Sequence, residues 1–298
     1  MNSSLVAILA ILFFFVVFLV VAFSVYFGER VIRQPRETNT DELKRYRLKG
    51  EPVSFFSRDG IKLVGMFFPG TNGATVILLH GFSRSKEQML PQASFLNAAG
   101  FSILMFDFRA SGESGGHFIT FGQKEQYDLE GAVRYLRSRP DIDKRRIGVF
   151  GFSMGGAVAL LKSGELPEVK AVVVNSTFSR MLDVIKINFR DYVPKFPFFP
   201  FGYIALLYIR LRTGVYFPHI KPLNYIARLD PRPVLIIHGS HDETIPQEHA
   251  SELLKSARGN KELWYIAGAD HHGTYRVAGQ QYEKRIIDFF TKYLLSPT

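Results

Sequence analysis

The chain has 298 residues and no cysteine, and its 37 basic and 27 acidic side chains give a formal net charge of +10. Apolar residues make up 47% and charged residues 21%, which excludes a disordered or collagen-like chain. Without cysteine there is no disulfide scaffold, no zinc–thiolate site and no thiol nucleophile. The positive charge suits three kinds of partner, namely nucleic acid, a membrane surface or an acidic substrate.

The N-terminal segment is the most apolar part of the chain. Leu5 to Phe27 (LVAILAILFFFVVFLVVAFSVYF) is a run of 23 residues without charge or proline. As a helix it spans about 34 Å, enough to cross a hydrocarbon core of about 30 Å. A cleaved signal peptide is the alternative, with Ala22-Phe23-Ser24 as a weak cleavage site, but no basic residue precedes the run and the run is long for that role. The pattern therefore favours a membrane anchor over residues 1–28.

A basic segment follows the apolar run. Residues 29–50 are interpreted as a stem, and their basic residues are Arg30, Arg33, Arg36, Lys44, Arg45, Arg47 and Lys49. Cytoplasmic flanks of membrane helices carry an excess of Lys and Arg. We therefore expect a single-pass anchor with the C-terminal body in the cytoplasm.

The body, residues 51–298, alternates apolar runs with helical stretches. A hairpin is predicted from residues 53–57 and 61–68, which flank Arg58-Asp59-Gly60. Six further strands are predicted at 75–79, 101–106, 147–150, 171–174, 234–237 and 263–266. Helices are predicted near 86–99, 123–138, 154–162, 246–257 and 280–295. This alternation predicts an α/β fold with a mostly parallel eight-stranded sheet and helices on both faces.

A long insertion interrupts the alternation after the sixth strand. Residues 177–230 contain 7 Phe and 5 Tyr in 54 residues and are predicted to form a small helical cap. The cap also carries eight basic residues against three acidic ones. Two interpretations stay open: the aromatic rings pack over the sheet as a lid, or the cap rests on an anionic bilayer and admits acyl chains. No nucleic-acid recognition motif accompanies the charge, so no nucleic-acid partner is expected.

The sequence Gly151-Phe152-Ser153-Met154-Gly155 carries the chemistry. It follows the strand IGVF and precedes the small-residue helix GGAVALL. A G-x-S-x-G turn between a strand and a helix holds its serine above the sheet, where a base can reach it. In this context the chain resembles the α/β-hydrolase family of serine hydrolases, in the esterase and acylaminoacyl-peptidase-like branch. The resemblance covers about residues 53–295.

The resemblance implies the remaining catalytic residues, in the order serine, acid, histidine. Asp242, in the loop IIHGSHDETIP, matches the acid, with helix capping as the alternative role. His271, in AGADHHG, matches the histidine, with His272 as the alternative. Asp270 and Glu243 are weaker acid candidates because of their register. In this arrangement the histidine is the base for Ser153, and the acid fixes the imidazole tautomer.

The oxyanion hole is expected from two backbone N–H groups. One belongs to Met154, directly after the nucleophile, and the other to Phe82, in the loop His80-Gly81-Phe82. The loop DFRASGESGG, residues 107–116, also resembles a family signature and is interpreted as structural. No cofactor is expected, and the histidines lack a metal-ligand spacing such as H-E-x-x-H.

The function expected from these residues is a membrane-anchored serine hydrolase. Its substrate is a small or lipid-like acyl ester, cleaved through an acyl-enzyme intermediate by Ser153, Asp242 and His271. A serine nucleophile also suits thioesters and amides, so an amidase or peptidase is the alternative enzyme. An alternative of another class is a non-catalytic membrane-associated scaffold that uses the fold for binding.

Overall fold

The computed structural model describes residues 3–36, 38, 43, 45, 46 and 48–296. Within them, eight strands form one sheet in the order β1-β2-β4-β3-β5-β6-β7-β8. The strands are β1 (Glu51–Phe56), β2 (Lys62–Phe68), β3 (Thr75–Leu79), β4 (Ser102–Phe106), β5 (Ile147–Phe152), β6 (Val169–Asn175), β7 (Val234–Gly239) and β8 (Lys261–Ile266).

Strand β2 makes the antiparallel pairings of the sheet. It pairs with β1 across the hairpin, with Phe56 opposite Lys62, and with β4 on its other side. The five remaining pairings, from β4 through β8, are parallel. The predicted mostly parallel, eight-stranded sheet is therefore confirmed. At the hairpin turn Gly60 has φ +84°, a conformation that glycine adopts without steric cost.

Helices cover both faces of the sheet, as predicted. These helices are α2 (Leu90–Ala98), α3 (Glu125–Ser138), α4 (Met154–Lys162), α7 (Glu248–Ser256), α8 (Thr274–Ala278) and α9 (Gln280–Phe290), while α1 (Ser3–Ile32) contacts the cap. Alternate residues of β3 enter different layers: Ile77 and Leu79 join the apolar cluster of α3 and α4, while Val76 and Leu78 join that of α2 and α9. A strand that is buried on both faces has to be apolar along its whole length, which explains the continuous apolar run TVILL in β3.

The helical cap lies between β6 and β7, where the sequence predicted it. It consists of α5 (Met181–Tyr192), α6 (Phe201–Thr213) and short 3-10 turns at Phe217–His219, Pro222–Asn224 and Ile226–Leu229. Its inner side chains, among them Phe178, Ile209 and Phe217, form a separate apolar cluster over the sheet edge. The cap therefore has a core of its own above the carboxyl ends of the strands.

Helix α1 contains the apolar run and differs from the expectation at its end. It is the one helix among the described residues that is long and apolar enough to cross a membrane, with a mean hydropathy of 3.4. The helix continues past residue 28 to Ile32. The extension is held by tertiary contacts, because Ser24, Gly28 and Ile32 form a buried stripe on one side of the helix.

The stem also differs from the expectation, because part of it is bound to the body. The Arg36 guanidinium donates to the carbonyl oxygens of Ser114 (2.6 Å) and Gly116 (2.5 Å), in the loop after β4. Lys44 and Arg47 of the predicted stem lie outside the described residues, as do residues 1, 2, 297 and 298 at the ends of the predicted domains.

Candidate active site

The turn between β5 and α4 presents Ser153. Its backbone has φ 51° and ψ −115°, a positive φ that is unusual for a residue other than glycine. The two motif glycines leave no room for a side chain: a Cβ on Gly151 would lie 2.4 Å from the oxygen of Gly155, and one on Gly155 would lie 2.3 Å from the oxygen of Leu79. The sharp turn therefore depends on both glycines, as a nucleophile elbow requires.

His271 lies between Ser153 and Asp242. Its Nε2 is 3.1 Å from Ser153 Oγ, and its Nδ1 is 2.8 Å from Asp242 Oδ2. A carboxylate accepts hydrogen bonds and does not donate them, so Nδ1 carries the proton in this contact. The unprotonated Nε2 then faces the serine hydroxyl, which is the tautomer a general base needs.

Asp242 contacts His271, as expected of the acid, and also closes a turn of the backbone. Its Oδ1 accepts the backbone N–H of Ile245 at 2.7 Å, so it closes the turn that follows β7. Its other oxygen contacts His271, and the carboxylate is buried. It does not cap a helix in this arrangement, since α7 begins only at Glu248.

The alternative residues from the sequence lie elsewhere. Asp270 is exposed and accepts from the backbone of His272 (3.1 Å) and the side chain of Arg276 (3.1 Å). Glu243 is exposed. The His272 ring stacks on Phe152, with 5.3 Å between centroids, and burial lowers its pKa. The structure thus brings Ser153, His271 and Asp242 together and places these three residues outside that chain of contacts.

Two backbone N–H groups are available beside Ser153. Neither the N–H of Phe82 nor that of Met154 has a hydrogen-bond acceptor among residues 3–36 and 48–296. The loop that carries Phe82 is braced by its neighbour, because the N–H of Gly81 donates to Gln88 Oε1 at 2.7 Å. Both donors line the same cavity as Ser153. An oxyanion hole at these two N–H groups therefore stays a prediction from the sequence.

Sequence reasoning missed His238, which supports the acid from beneath. His238 is fully buried, its Nε2–H donates to the carbonyl of Ile245 at 2.7 Å, and the same nitrogen lies 3.5 Å from Asp242 Oδ2. Burial lowers the pKa of His238, so the ring stays neutral. Its position four residues before Asp242, at the end of a strand, is the signal that would have found it.

The loop after β4 braces the site without entering it. Asp107 accepts from both the backbone N–H (2.7 Å) and the ammonium (2.9 Å) of Lys86, and Arg109 is paired with Asp128 at 2.7 Å. His80 accepts the N–H of Phe108 at 3.0 Å, and burial lowers its pKa. These contacts hold the loop after β4 against Lys86, α3 and His80.

Ser153 and His271 open into a cavity of about 690 Å³. This volume is within the range of about 300–1,000 Å³ that is usual for small-molecule sites. The cap supplies much of the wall, and a further part comes from Tyr26, Phe27, Arg30 and Val31 of α1 and from Gln34 and Pro35 just after it. No pattern in the sequence indicated that the apolar N-terminal helix reaches the site.

This combination of sheet, elbow and cap defines an α/β hydrolase. Residues 88–296 match the model of the prolyl oligopeptidase family, and the chain belongs to that family. The Escherichia coli K12 protein YfhR is 30% identical over 253 residues, which cover 82% of this chain and 81% of YfhR. The Arabidopsis thaliana α/β hydrolase domain-containing protein WAV2 is 28% identical over 257 residues, which cover 84% of this chain and 81% of WAV2.

A solved structure is similar over most of the chain. The esterase Pf2001 of Pyrococcus furiosus superposes with a TM-score of 0.74 at 29% identity, covering 89% of this chain and 99% of the esterase. The α/β-hydrolase resemblance expected from the sequence is therefore confirmed. The similarity to a hydrolase family and to an esterase supports a hydrolase, while the bond it cleaves is a separate question.

Proposed function

We propose that the protein is a serine hydrolase of carboxylic esters, with Ser153 as nucleophile, His271 as general base and Asp242 as the residue that orients it. The observation that carries the proposal is the position of His271, which contacts the serine and the carboxylate through opposite nitrogens at 3.1 and 2.8 Å. A nucleophile elbow by itself is compatible with a binding role. A histidine whose Nε2 faces the serine hydroxyl is positioned for proton transfer.

The proposed reaction has two halves. Ser153 Oγ attacks the acyl carbon while His271 Nε2 takes its proton, and the resulting oxyanion accepts hydrogen bonds from the N–H groups of Phe82 and Met154. His271 then returns the proton to the leaving alkoxide, which departs as the alcohol and leaves an acyl group on Ser153. A water molecule, deprotonated by His271, releases the acid and regenerates the serine. Loss of one oxyanion donor costs about 10²–10³ in kcat.

Labelling with a fluorophosphonate tests the chemistry. The full-length protein is expected to be labelled and to hydrolyse aryl esters, and Ser153→Ala is expected to lose both activities. Ser179→Ala is the matched control, since Ser179 is buried outside the cavity. Folded wild-type protein that is not labelled would instead support the non-catalytic scaffold.

An amidase or peptidase is the second candidate, favoured by the match to the prolyl oligopeptidase family. Aryl esters and aryl amides with the same acyl group separate the two. When each rate is divided by the uncatalysed rate of the same compound, the proposal predicts a larger acceleration for the ester than for the amide. Faster amide turnover would reverse the assignment.

Helix α1 is proposed to be a retained single-pass membrane anchor, with the hydrolase body in the cytoplasm. Its length and hydropathy support anchoring, and the basic residues after it support the orientation. The absence of cysteine permits a clean test, because Lys144→Cys introduces one exposed thiol. In sealed right-side-out vesicles this thiol is expected to resist a membrane-impermeant maleimide until the vesicles are opened. Labelling before opening would reverse the orientation, and release of the chain by an alkaline wash would exclude the anchor.

A further inference from the structure

The C-terminal part of α1 does not stand apart from the catalytic body. It packs along α6 so closely that a Cβ on Gly28 would lie 2.9 Å from Tyr208 Cδ1. Tyr208 also donates its hydroxyl to Glu29 Oε2 at 2.6 Å, and Glu29 pairs with Arg33 at 2.6 Å. A helix that served only as a tether would need none of these contacts.

Helices α1 and α6 run in the same direction, so their contacts show which part of the apolar run lies beside the start of α6. Phe23 contacts Phe201, at the start of α6, with 5.7 Å between ring centroids, while Glu29 meets Tyr208 further along both helices. Phe23 also stacks on Phe196 at 4.8 Å. Since Phe23 lies four residues inside the end of the apolar run, these rings lie about 6 Å within the apolar span.

The outer surface of this region is apolar as well. Phe199 is 73% exposed, in the loop before α6, and Tyr203 and Leu207 follow on the outer face of α6 at 52% and 56%. Exposed aromatic and aliphatic side chains at this depth are typical of segments that contact the edge of a bilayer. The cap and α1 therefore meet the membrane together.

The catalytic cavity lies between these same elements. Its lining includes Phe27 and Val31 from α1, Phe189 from α5, and Leu206 and Ile209 from α6, together with Ser153. Along α1 the lining extends from Tyr26, inside the apolar run, to Val31, a distance of about 8 Å along the helix. Gly202 and Ala205 of α6 also line this cavity.

We propose that α1 is one wall of an acyl-chain site, and that the substrate is a fatty-acyl ester whose chain comes from the surrounding bilayer. This inference rests on the proposed function. The ester carbonyl lies at Ser153, and the chain extends between α1, α5 and α6 toward Tyr26. The anchor thus selects the substrate besides holding the enzyme at the membrane.

Chain-length profiles of the full-length enzyme in lipid nanodiscs test the wall. Aryl esters from acetyl to palmitoyl are compared at equal mole fraction in the nanodisc, so that partitioning into lipid does not contribute, and kcat/KM is expected to rise with chain length until the cavity is filled. Val31→Trp on α1 and Leu206→Trp on α6 are each expected to lower kcat/KM for the palmitoyl ester by at least tenfold, about the discrimination that a filled apolar pocket gives. Turnover of the acetyl ester should remain and reports that the variants fold.

Val21→Trp is the matched control, because Val21 is 41% exposed on the same helix and does not line the cavity. It is expected to keep the wild-type profile. An unchanged profile in both wall variants, with acetyl turnover retained, would overturn the inference and leave the proposed function standing.

A second measurement does not depend on any variant. A long-chain fluorophosphonate with a photoreactive group near the end of its chain is attached to Ser153 and then irradiated. Cross-links within residues 26–34 and in α5 or α6 are expected. Labelled protein without cross-links to α1 would overturn only the proposal that α1 lines the acyl-chain site. Absence of labelling would overturn both the proposed function and this inference.

The source of the substrate is tested by where the ester is supplied. The palmitoyl ester is placed either in the vesicles that contain the enzyme or in separate vesicles. Faster hydrolysis in the enzyme's own vesicles is expected. Equal rates would show that the chain arrives through water and would overturn entry from the bilayer.

Discussion

The molecule contains two clusters of a serine, a histidine and a carboxylate, and they differ in geometry. In the first, His271 lies between Ser153 and Asp242 and contacts them through different nitrogens. In the second, Ser179 Oγ is 2.7 Å from His249 Nδ1 and 2.5 Å from Glu252 Oε2, so the hydroxyl lies between the other two groups.

The difference shows that residue types alone do not make a catalytic site. In the second cluster the imidazole has no carboxylate behind it to fix a tautomer, and Ser179 is fully buried. Its hydrogen bonds join the loop after β6 to α7, which is a packing role. The first cluster has its serine on a strained turn, facing a cavity, with the base aligned. We therefore expect changes in the first cluster to affect rate and changes in the second to affect stability.

The largest effect is expected from the histidines. His271→Asn removes the base and should lower kcat by about 10⁶, the scale reported for removal of the base of a serine triad. His249→Asn, the counterpart in the second cluster, should keep wild-type turnover of a short-chain aryl ester. Comparable losses in the two variants would contradict the division between the clusters.

The carboxylates give the next test. Asp242→Asn keeps the shape but cannot fix Nδ1–H, so kcat should fall by about 10⁴. Glu252→Gln serves as the control, measured with the same ester under saturating conditions. A loss in Asp242→Asn that appears in KM and not in kcat would contradict an orienting role.

Ser179→Ala should lower the stability of the protein without lowering its rate of ester hydrolysis. The change removes the hydroxyl contacts to Glu252 and His249, while Arg180 still donates to Glu252 and the backbone N–H of residue 179 still contacts His249, so the loss should be about 0.5–1.5 kcal/mol. The melting temperature measured in detergent is expected to fall relative to wild type, while the rate per folded molecule is unchanged. A fall in rate with an unchanged melting temperature would assign the second cluster to catalysis.

The smallest expected effect is the pH dependence of stability at Glu252. Burial raises its pKa, but the hydrogen bonds from Ser179 and Arg180 outweigh burial and hold the pKa below its usual range. A carboxylate with a lowered pKa in the folded state stabilises the protein above its ordinary pKa, about 4.3, and this contribution is lost as the pH falls further. Since the side chain is partly exposed, the effect should be below about 1 kcal/mol.

Melting temperatures between about pH 6 and pH 3 measure this effect. Glu252→Gln should show a flatter fall toward acid than wild type, because the variant has no carboxylate to protonate. Identical slopes in the two proteins would exclude a contribution from this contact.

The sequence predicted the sheet and the elbow because both follow from local constraints. A strand buried on two faces must be apolar throughout, as in TVILL, and a serine on a tight turn needs glycines at fixed spacing, as at Gly151 and Gly155. The assignment of Asp242 and His271 came instead from the resemblance to the α/β-hydrolase family, whose order of serine, acid and histidine these residues match. The membrane-length helix is likewise a matter of composition over consecutive residues.

Tertiary structure decided what depends on residues far apart in the chain. Neighbouring histidines look alike in sequence, and only packing puts His271 in the chain of contacts and stacks His272 on Phe152. The extension of α1 to Ile32, its contact with α6 and its place in the cavity wall join segments separated by well over a hundred residues. Periodicity and composition describe what one segment prefers to bury, whereas the partner that buries it is set by the fold as a whole.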